Sequence, residues 1–276
     1  TDPGWHPDNL RCGVIVYPNS TAKVAAIVQI CRQHGVSIVT HGGKTGLVGG
    51  GISKPGEIVV SLERMNRIER LDAVEQVAVV EAGTTLQTLQ ETAAVEGLSP
   101  GIDLAARGSA TIGGLISTNA GGIMAFRNGV MRHRVFGLEV VLADGSVFSD
   151  LTRVVKNSAG YDLKHLFIGA EGTLGIVTRV AVKLEPVVPE GVPVLFGLPS
   201  LDAVFALLAE ARLLNSGSLV AAEAMWSGFF GFSAANHGWS APGYSNDNPV
   251  NLLLSYSGHD ETRLGEDIAV LYEAML

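Results

Sequence analysis

Apolar residues fall at helical spacing early in the chain, where Val24, Ile27, Val28 and Cys31 recur at i, i+3, i+4 and i+7. Ser20-Thr21 can cap that helix and Gly35 ends it. Residues 14–16 before it and 36–39 after it read as strands, so the three segments form a βαβ unit with parallel strands. A further strand is predicted over 57–61, and a second helix over 84–96, stopped by Gly97. From about residue 77 the pattern shifts to short β-type runs at 77–80, 135–143, 146–149 and 174–184. Asp144-Gly145 between two of them predicts a hairpin with a type I′ turn, and hence antiparallel pairing. Pro186, Pro189 and Pro193 then mark the best boundary in the chain. Beyond them a strand (194–198), a helix (201–214) and a strand (219–223) begin a second α+β unit, and 236–248 reads as a loop.

Composition narrows the class. Hydrophobic residues make up 47% and charged residues 17%, which excludes a disordered chain. Net charge is −8, from 27 acids and 19 bases, and no basic stripe of the kind that binds nucleic acid is present. The longest uninterrupted apolar stretch, 203–209, stops at Glu210, short of the roughly 18 residues that a membrane-spanning helix needs. Cys12 and Cys31 form no CxxC pair and read as reduced thiols of a cytoplasmic protein. The chain opens without Met and closes inside an uncapped apolar helix, from which a fragment is expected.

Glycine changes the picture most. There are 34 in 276 residues, and 22 of them fall from Gly42 to Gly175. Six of the ten residues 42–51 are glycine, directly after a strand. So bare a backbone can turn its N–H groups toward one point and approach a diphosphate without Cβ clashes. It is not a Walker A loop, because the first glycine of that motif would fall on Ile38, and the spacing G-x-G-x-x-G occurs nowhere. A second cluster spans 100–122, where 112–119 predicts a short helix whose N-terminus favours an anion. A third spans 169–178. Three such loops point to one long polyanionic ligand held by backbone.

In order, these residues are GGKTGLVGG, PGIDL, TIGGLISTNAGG, VVLADG and NSAGYDLKHLFIGAEGTLGIVT. Over residues 12–185 the chain resembles the FAD domain of the vanillyl-alcohol-oxidase/PCMH superfamily, within the branch of D-lactate, D-2-hydroxyglutarate and glycolate dehydrogenases. The resemblance implies an α+β, two-subdomain PCMH-type FAD-binding fold over 8–187, followed by the beginning of an α+β substrate or cap domain over 192–276. It also implies FAD-dependent oxidation of a small D-2-hydroxy acid by hydride transfer to the flavin. The alternatives are an FAD-binding subunit or non-catalytic module of a complex, and an FAD-dependent transferase of the ether-lipid-synthase kind.

Carried over by position, Gly42, Gly43, Lys44, Thr45, Gly46 and Leu47 would cradle the phosphates. Asp103, Ser109, Gly113, Gly114, Ser117, Asn119, Ala120 and Gly122 would line the flavin and ribityl region. Glu171, Gly172, Gly175, Ile176 and Val177 would close over the adenine and isoalloxazine sides, with a turn cap an equal alternative for Glu171. Lys44 stands where covalent relatives often carry histidine, so noncovalent FAD is expected and His41 is read as a wall residue. Phe126-Arg127-Asn128-Gly129 departs from the family's usual R-Y-G. Arg127, Arg132, His133 and Arg134 read as a solvated basic turn with one phosphate partner, anion capture being the alternative, and Tyr161-Asp162-Leu163 as framework rather than site. Trp226, Phe229 and Phe230 read as packing.

No catalytic residue is assigned. The seven histidines show no metal-ligand spacing. The resemblance implies that the base and substrate clamp come mostly from the cap domain, with histidines and an acid that bind a divalent metal, at positions expected beyond Leu276. The fragment is expected to be inactive alone. A quinone, a flavoprotein, a cytochrome or dioxygen each fits as electron acceptor. The protein is expected to be cytoplasmic or peripheral at a membrane, with a homodimer as an open alternative.

Overall fold

The computed structural model describes residues 9–189, 191–215, 219–245, 247–258 and 260–273. The readings of both chain ends, of His6 and of His259 lie outside these residues. The chain divides into two compact units, one of residues 1–122 and 128–187, the other of 123–127 and 188–276. The division at 187/188 falls within the proline-rich stretch.

The first unit opens with the expected βαβ segment. Strands β1 (Val14–Val16) and β2 (Ile38–His41) both pair in parallel with β3 (Ile58–Ser61), which lies between them. Helix α1 (Thr21–Gln33) begins at Ser20, whose side chain accepts the Lys23 N–H, and buries Val24, Val28 and Cys31. It ends at Gly35, φ +64, as the αL stop requires.

The following strands build a separate sheet. Here β4 (Ile68–Asp72), β5 (Val77–Glu81), β7 (Val135–Val141), β8 (Val147–Asp150) and β9 (Ile176–Lys183) lie in the order β4-β5-β9-β7-β8, antiparallel throughout. Strand β4 went unread in the sequence because Ile-Glu-Arg-Leu-Asp carries the polar content of an edge strand. The β7–β8 hairpin is present, but its turn is not type I′. The Gly145 N–H bonds the Leu142 carbonyl, the Leu142 N–H bonds that of Ser146, and Gly145 alone has φ +82. That is a three-residue loop of type I with a glycine bulge, held by Asp144 Oδ1 accepting from the Ser146 N–H at 2.8 Å.

Helix α2 (Leu86–Ala94) is capped by Thr85, and the two-residue strands β6 (Leu98–Ser99) and β10 (Glu185–Pro186) pair with each other. The short helices α3 (Ile112–Ser117) and α5 (Lys164–Phe167) complete this unit, whereas α4 (Ala125–Asn128) falls, apart from its last residue, in the second. One core joins α1, α2, α3 and the large sheet through residues such as Val28, Leu89, Ile116, Leu138 and Val180. A polar junction docks α1 on that sheet. Glu139 of β7, 8% exposed, accepts from Thr21 Oγ1 at 2.6 Å, Thr178 Oγ1 at 3.2 Å and Ser149 Oγ at 3.1 Å. A buried carboxylate is tolerated when its oxygens are supplied with donors in this way.

The second unit is a three-stranded antiparallel sheet in which β13 (Val250–Tyr256) lies between β11 (Val192–Leu198) and β12 (Leu219–Trp226). Its core joins Phe196, Leu252 and Leu254 of the sheet to Leu207 of α6 (Leu201–Asn215) and Leu264 of α8 (Glu261–Glu273). Helix α7 (Ser227–His237) takes the first two residues of the expected loop. Of the three aromatics read as packing, Phe230 is buried against Trp239 and Tyr244, whereas Trp226 and Phe229 are exposed.

Thr21→Val keeps the side-chain shape but removes a donor to buried Glu139, and should cost about 1–3 kcal/mol. Urea unfolding should show a lower midpoint at unchanged slope.

Candidate functional site

Within the first unit a cleft of about 460 Å³ opens where the three glycine clusters converge. That size is ordinary for a small-molecule site. From the first cluster it is lined by Gly42, Gly43, Lys44, Thr45, Gly46 and Leu47, from the second by Gly113, Gly114, Ser117 and Ala120, and from the third by Glu171, Gly172, Gly175, Ile176 and Val177. Leu62, Leu104 and Leu115 add apolar wall. Among the described residues its one lysine is Lys44 and its one carboxylate is Glu171.

The first loop leaves β2 and is pinned at both ends. His41, 4% exposed, places Nε2 2.7 Å from the Gly51 carbonyl, so Nε2 carries the hydrogen. At the other end the backbone of Gly43 lies hard against that of Ser109, where an added Cβ would fall 1.9 Å from the Ser109 carbonyl oxygen. Gly42 likewise leaves no room beside Thr111. Between the pins the N–H groups of Gly43, Thr45, Gly46 and Leu47 donate no hydrogen bond among the described residues, although all four residues line the cleft. Lys44 among them is left-handed, φ +56, a conformation that turns successive N–H groups to one side as an anion nest. A Cβ added at Gly46 would meet nothing within 4 Å beyond its chain neighbours, and Leu47 and Val48 are 82% and 79% exposed. Unpartnered main-chain donors beside an apolar wall suit a ligand with a diphosphate and flat rings.

Burial, and to a lesser degree the Lys44 cation, lower the His41 pKa below the usual imidazole range, against the opposing pull of the Gly51 carbonyl. His41 is therefore neutral at pH 7 and serves as a pin.

The second cluster behaves differently from the sequence expectation. The N-terminus of α3 is not an anion site, because its donors are spent internally: the Ile112 N–H on the Thr84 carbonyl, that of Gly113 on Ala82, and that of Gly114 on Thr111 Oγ1. Gly113 is required by contact with Ala82, which an added Cβ would meet at 2.7 Å. Ser117 Oγ donates back to the Gly113 carbonyl, leaving its lone pairs for a ligand.

Four expected residues lie outside the lining. Asp103 pairs with Arg107 at 3.1 Å and accepts from Gln90, and its backbone bridges Gly122. Gly122 permits that bridge, since a Cβ there would fall 1.8 Å from the Asp103 carbonyl oxygen. Ser109 presents its carbonyl to Gly43, and Asn119 Oδ1 accepts the Arg132 N–H. Of the expected basic turn, Arg127 and His133 are exposed, whereas its other two members turn inward. Arg134 is buried and paired with Glu185 at 2.7 Å, and Arg132 is spent on carbonyls. Tyr161 is 94% exposed rather than packed as framework. Thr40, Val48, Gly50, Gly51, Ala106, Ala110, Thr111 and Thr118 also line the cleft. Of these, Gly50 and Gly51 were legible from the glycine run, whereas Ala110 carries no mark that separates cleft wall from core.

The FAD binding domain family matches residues 13–150. This chain belongs to that FAD-binding family. It is 37% identical over 275 residues to a D-2-hydroxyglutarate dehydrogenase of Xanthomonas citri pv. viticola, covering 98% of this chain and 56% of the relative. To the mitochondrial D-2-hydroxyglutarate dehydrogenase of Bos taurus it is 38% identical, covering 91% and 47%, and to a D-lactate dehydrogenase of Archaeoglobus fulgidus 34%, covering 93% and 56%. The chain thus spans about half the length of these relatives. Among solved structures an alkyldihydroxyacetonephosphate synthase superposes with TM-score 0.73 at 19% identity, covering 94% of this chain and 50% of that one, which shows a shared fold. Among the described residues no helix is long and apolar enough to cross a membrane.

Two outcomes test the pinned loop. The Cβ of Gly46→Val would meet nothing within 4 Å, so the protein should stay folded while FAD affinity falls about tenfold or more, roughly 1.4 kcal/mol. Gly43→Val should instead lower the melting temperature of the cofactor-free protein, because it strikes Ser109. For His41 the folded pKa lies below the unfolded one. Its stabilising contribution is therefore complete above about pH 6.5 and is lost as pH falls through the folded value. Thermal melts should accordingly show a smaller loss between pH 7 and 5 for His41→Gln than for the parent.

Proposed function

We propose that this chain is the FAD-holding part of a dehydrogenase that oxidises a small D-2-hydroxy acid of the D-lactate, D-2-hydroxyglutarate or glycolate type. The observation that carries the proposal is the joint one of a cleft floored by unpartnered main-chain donors and relatives so named at 34–38% identity across more than nine-tenths of the chain. Bound FAD supplies the hydride acceptor for such an oxidation. The chain's own residues do the holding. The N–H groups of Gly43, Thr45, Gly46 and Leu47 face the diphosphate, Lys44 adds a cation, and Ile176 and Val177 offer apolar contact to a ring.

FAD is held noncovalently in this account. His41 is spent on Gly51 and buried, and Lys44 takes the neighbouring position. Of the expected site residues, those lining the cleft are proposed as direct contacts, and Asp103, Ser109, Asn119 and Gly122 as supports behind it. Residues 188–276 are proposed as part of the substrate or cap domain. Among the described residues no group of three or more His, Cys, Asp and Glu is arranged to hold a metal, and we assign no base to them. A quinone, flavoprotein or cytochrome as electron acceptor, and a cytoplasmic or membrane-peripheral location, complete the proposal.

The test is anaerobic reduction of protein carrying this chain and reconstituted with FAD. Bleaching of the visible flavin band by D-lactate, D-2-hydroxyglutarate or glycolate is expected. A bound flavin that none of the three bleaches would leave a cofactor-holding module without this activity. Failure to take up FAD at all would remove flavin from the account.

A further inference from the structure

We propose that Arg132 is the positioning residue for the third wall of the cleft, acting through residues 169–172 rather than by touching a ligand. This inference rests on the cofactor proposal above.

Arg132 leads a run, Arg132-His133-Arg134, whose charge alone suggests a solvated turn. Its actual partners are specific. The backbone N–H donates to Asn119 Oδ1 at 2.9 Å. Nη1 donates to the His165 carbonyl at 3.0 Å and to His165 Nδ1 at 3.1 Å, and Nη2 donates to the Ile168 carbonyl at 2.5 Å. These carbonyls belong to the C-terminal end of α5, where helix geometry leaves acceptors without partners. Accepting at Nδ1 places the His165 proton on Nε2, which faces Asp162 at 3.3 Å.

One planar fork thus closes the end of α5 just where the chain turns into the cleft wall. Lysine, with a single ammonium, cannot span the same acceptors. The wall is stitched down directly afterwards. The Gly169 N–H bonds the Ile116 carbonyl at 2.9 Å and the Glu171 N–H bonds that of Ser117 at 2.8 Å. At Gly169, φ +83, an added Cβ would lie 3.4 Å from Asn119 Cβ and 3.6 Å from Arg132 Nη2, so both side chains flank this corner at contact distance. The product of the arrangement is Glu171 held left-handed, φ +51, with its carboxylate 3.6 Å from where a Cβ on Gly50 would stand. Arg132 and Asn119 therefore set how the third wall faces the first loop, although neither lines the cleft.

The test compares Arg132→Met, Arg132→Lys and Asn119→Gly with the parent. The readouts are the FAD dissociation constant, amide exchange at Gly169 and Glu171, and the melting temperature without cofactor. Arg132→Met should weaken FAD at least about tenfold and speed exchange at both amides, with lysine restoring part of the loss. A lowered melting temperature at unchanged FAD affinity would mean a merely structural role and would overturn the proposal. Asn119→Gly keeps the left-handed backbone while removing the side chain that accepts the Arg132 N–H, and should weaken FAD several-fold. It decides the matter if Arg132→Met does not fold, unchanged affinity again overturning the proposal. If the parent takes up no FAD, the cofactor proposal is what fails. Exchange at Gly169 and Glu171 in the Arg132→Met protein then judges the positioning role alone, and unaltered exchange would refute it.

Discussion

The site depends on the approach of Gly43 to the Ser109 carbonyl, so close that no side chain fits between them. That contact, with the His41–Gly51 pin, fixes both ends of a loop in which the N–H groups of Gly43, Thr45, Gly46 and Leu47 find no acceptor among the described residues. Unsatisfied donors are costly to bury and cheap to leave beside a wet cleft. The loop therefore meets the cost of its bare backbone by remaining at an opening, which is also where a polyanion can use it.

Around that loop the glycines divide by physical role. Gly46 is open to the cleft, whereas Gly43, Gly113 and Gly122 are required by backbone or side chains pressed against them. A glycine-rich site is thus mostly a device for packing three chain segments closely, with only part of it reserved for close approach to a ligand. The hydrogen-bond ledger separates the two uses. Donors at the start of α3 are consumed by Thr84, Ala82 and Thr111, while those of the first loop are not.

Much of the fold was legible in the sequence, because periodicity reports one-sided burial. Val24, Val28 and Cys31 gave α1, and Gly35 its end. The short runs at 77–80 and 174–184 correspond to β5 and β9, which pair with each other at the centre of the large sheet. What was not legible depended on partners distant in sequence. The polar edge strand β4 has no apolar pattern to show, and the hairpin turn was decided by the Leu142–Ser146 bonds rather than by the Asp-Gly pair. Arg132 and Arg134 illustrate the same limit. A basic run looks solvated until the carbonyls of His165 and Ile168 and the carboxylate of Glu185 are seen to take it inward. At the site, glycine clustering identified the loops, but composition could not distinguish Asn119, which supports the wall, from Ser117, which lines it.

The central claim is that the main-chain donors of residues 43–47 receive the diphosphate of FAD. Amide hydrogen exchange of the protein with and without saturating FAD measures those donors one by one. The account predicts fast exchange at Gly43, Thr45, Gly46 and Leu47 without FAD and marked slowing with it, while Ile112 and Gly113, already bonded within the protein, change little. Bound FAD, established by its spectrum, with exchange at the four loop amides unaltered would contradict it.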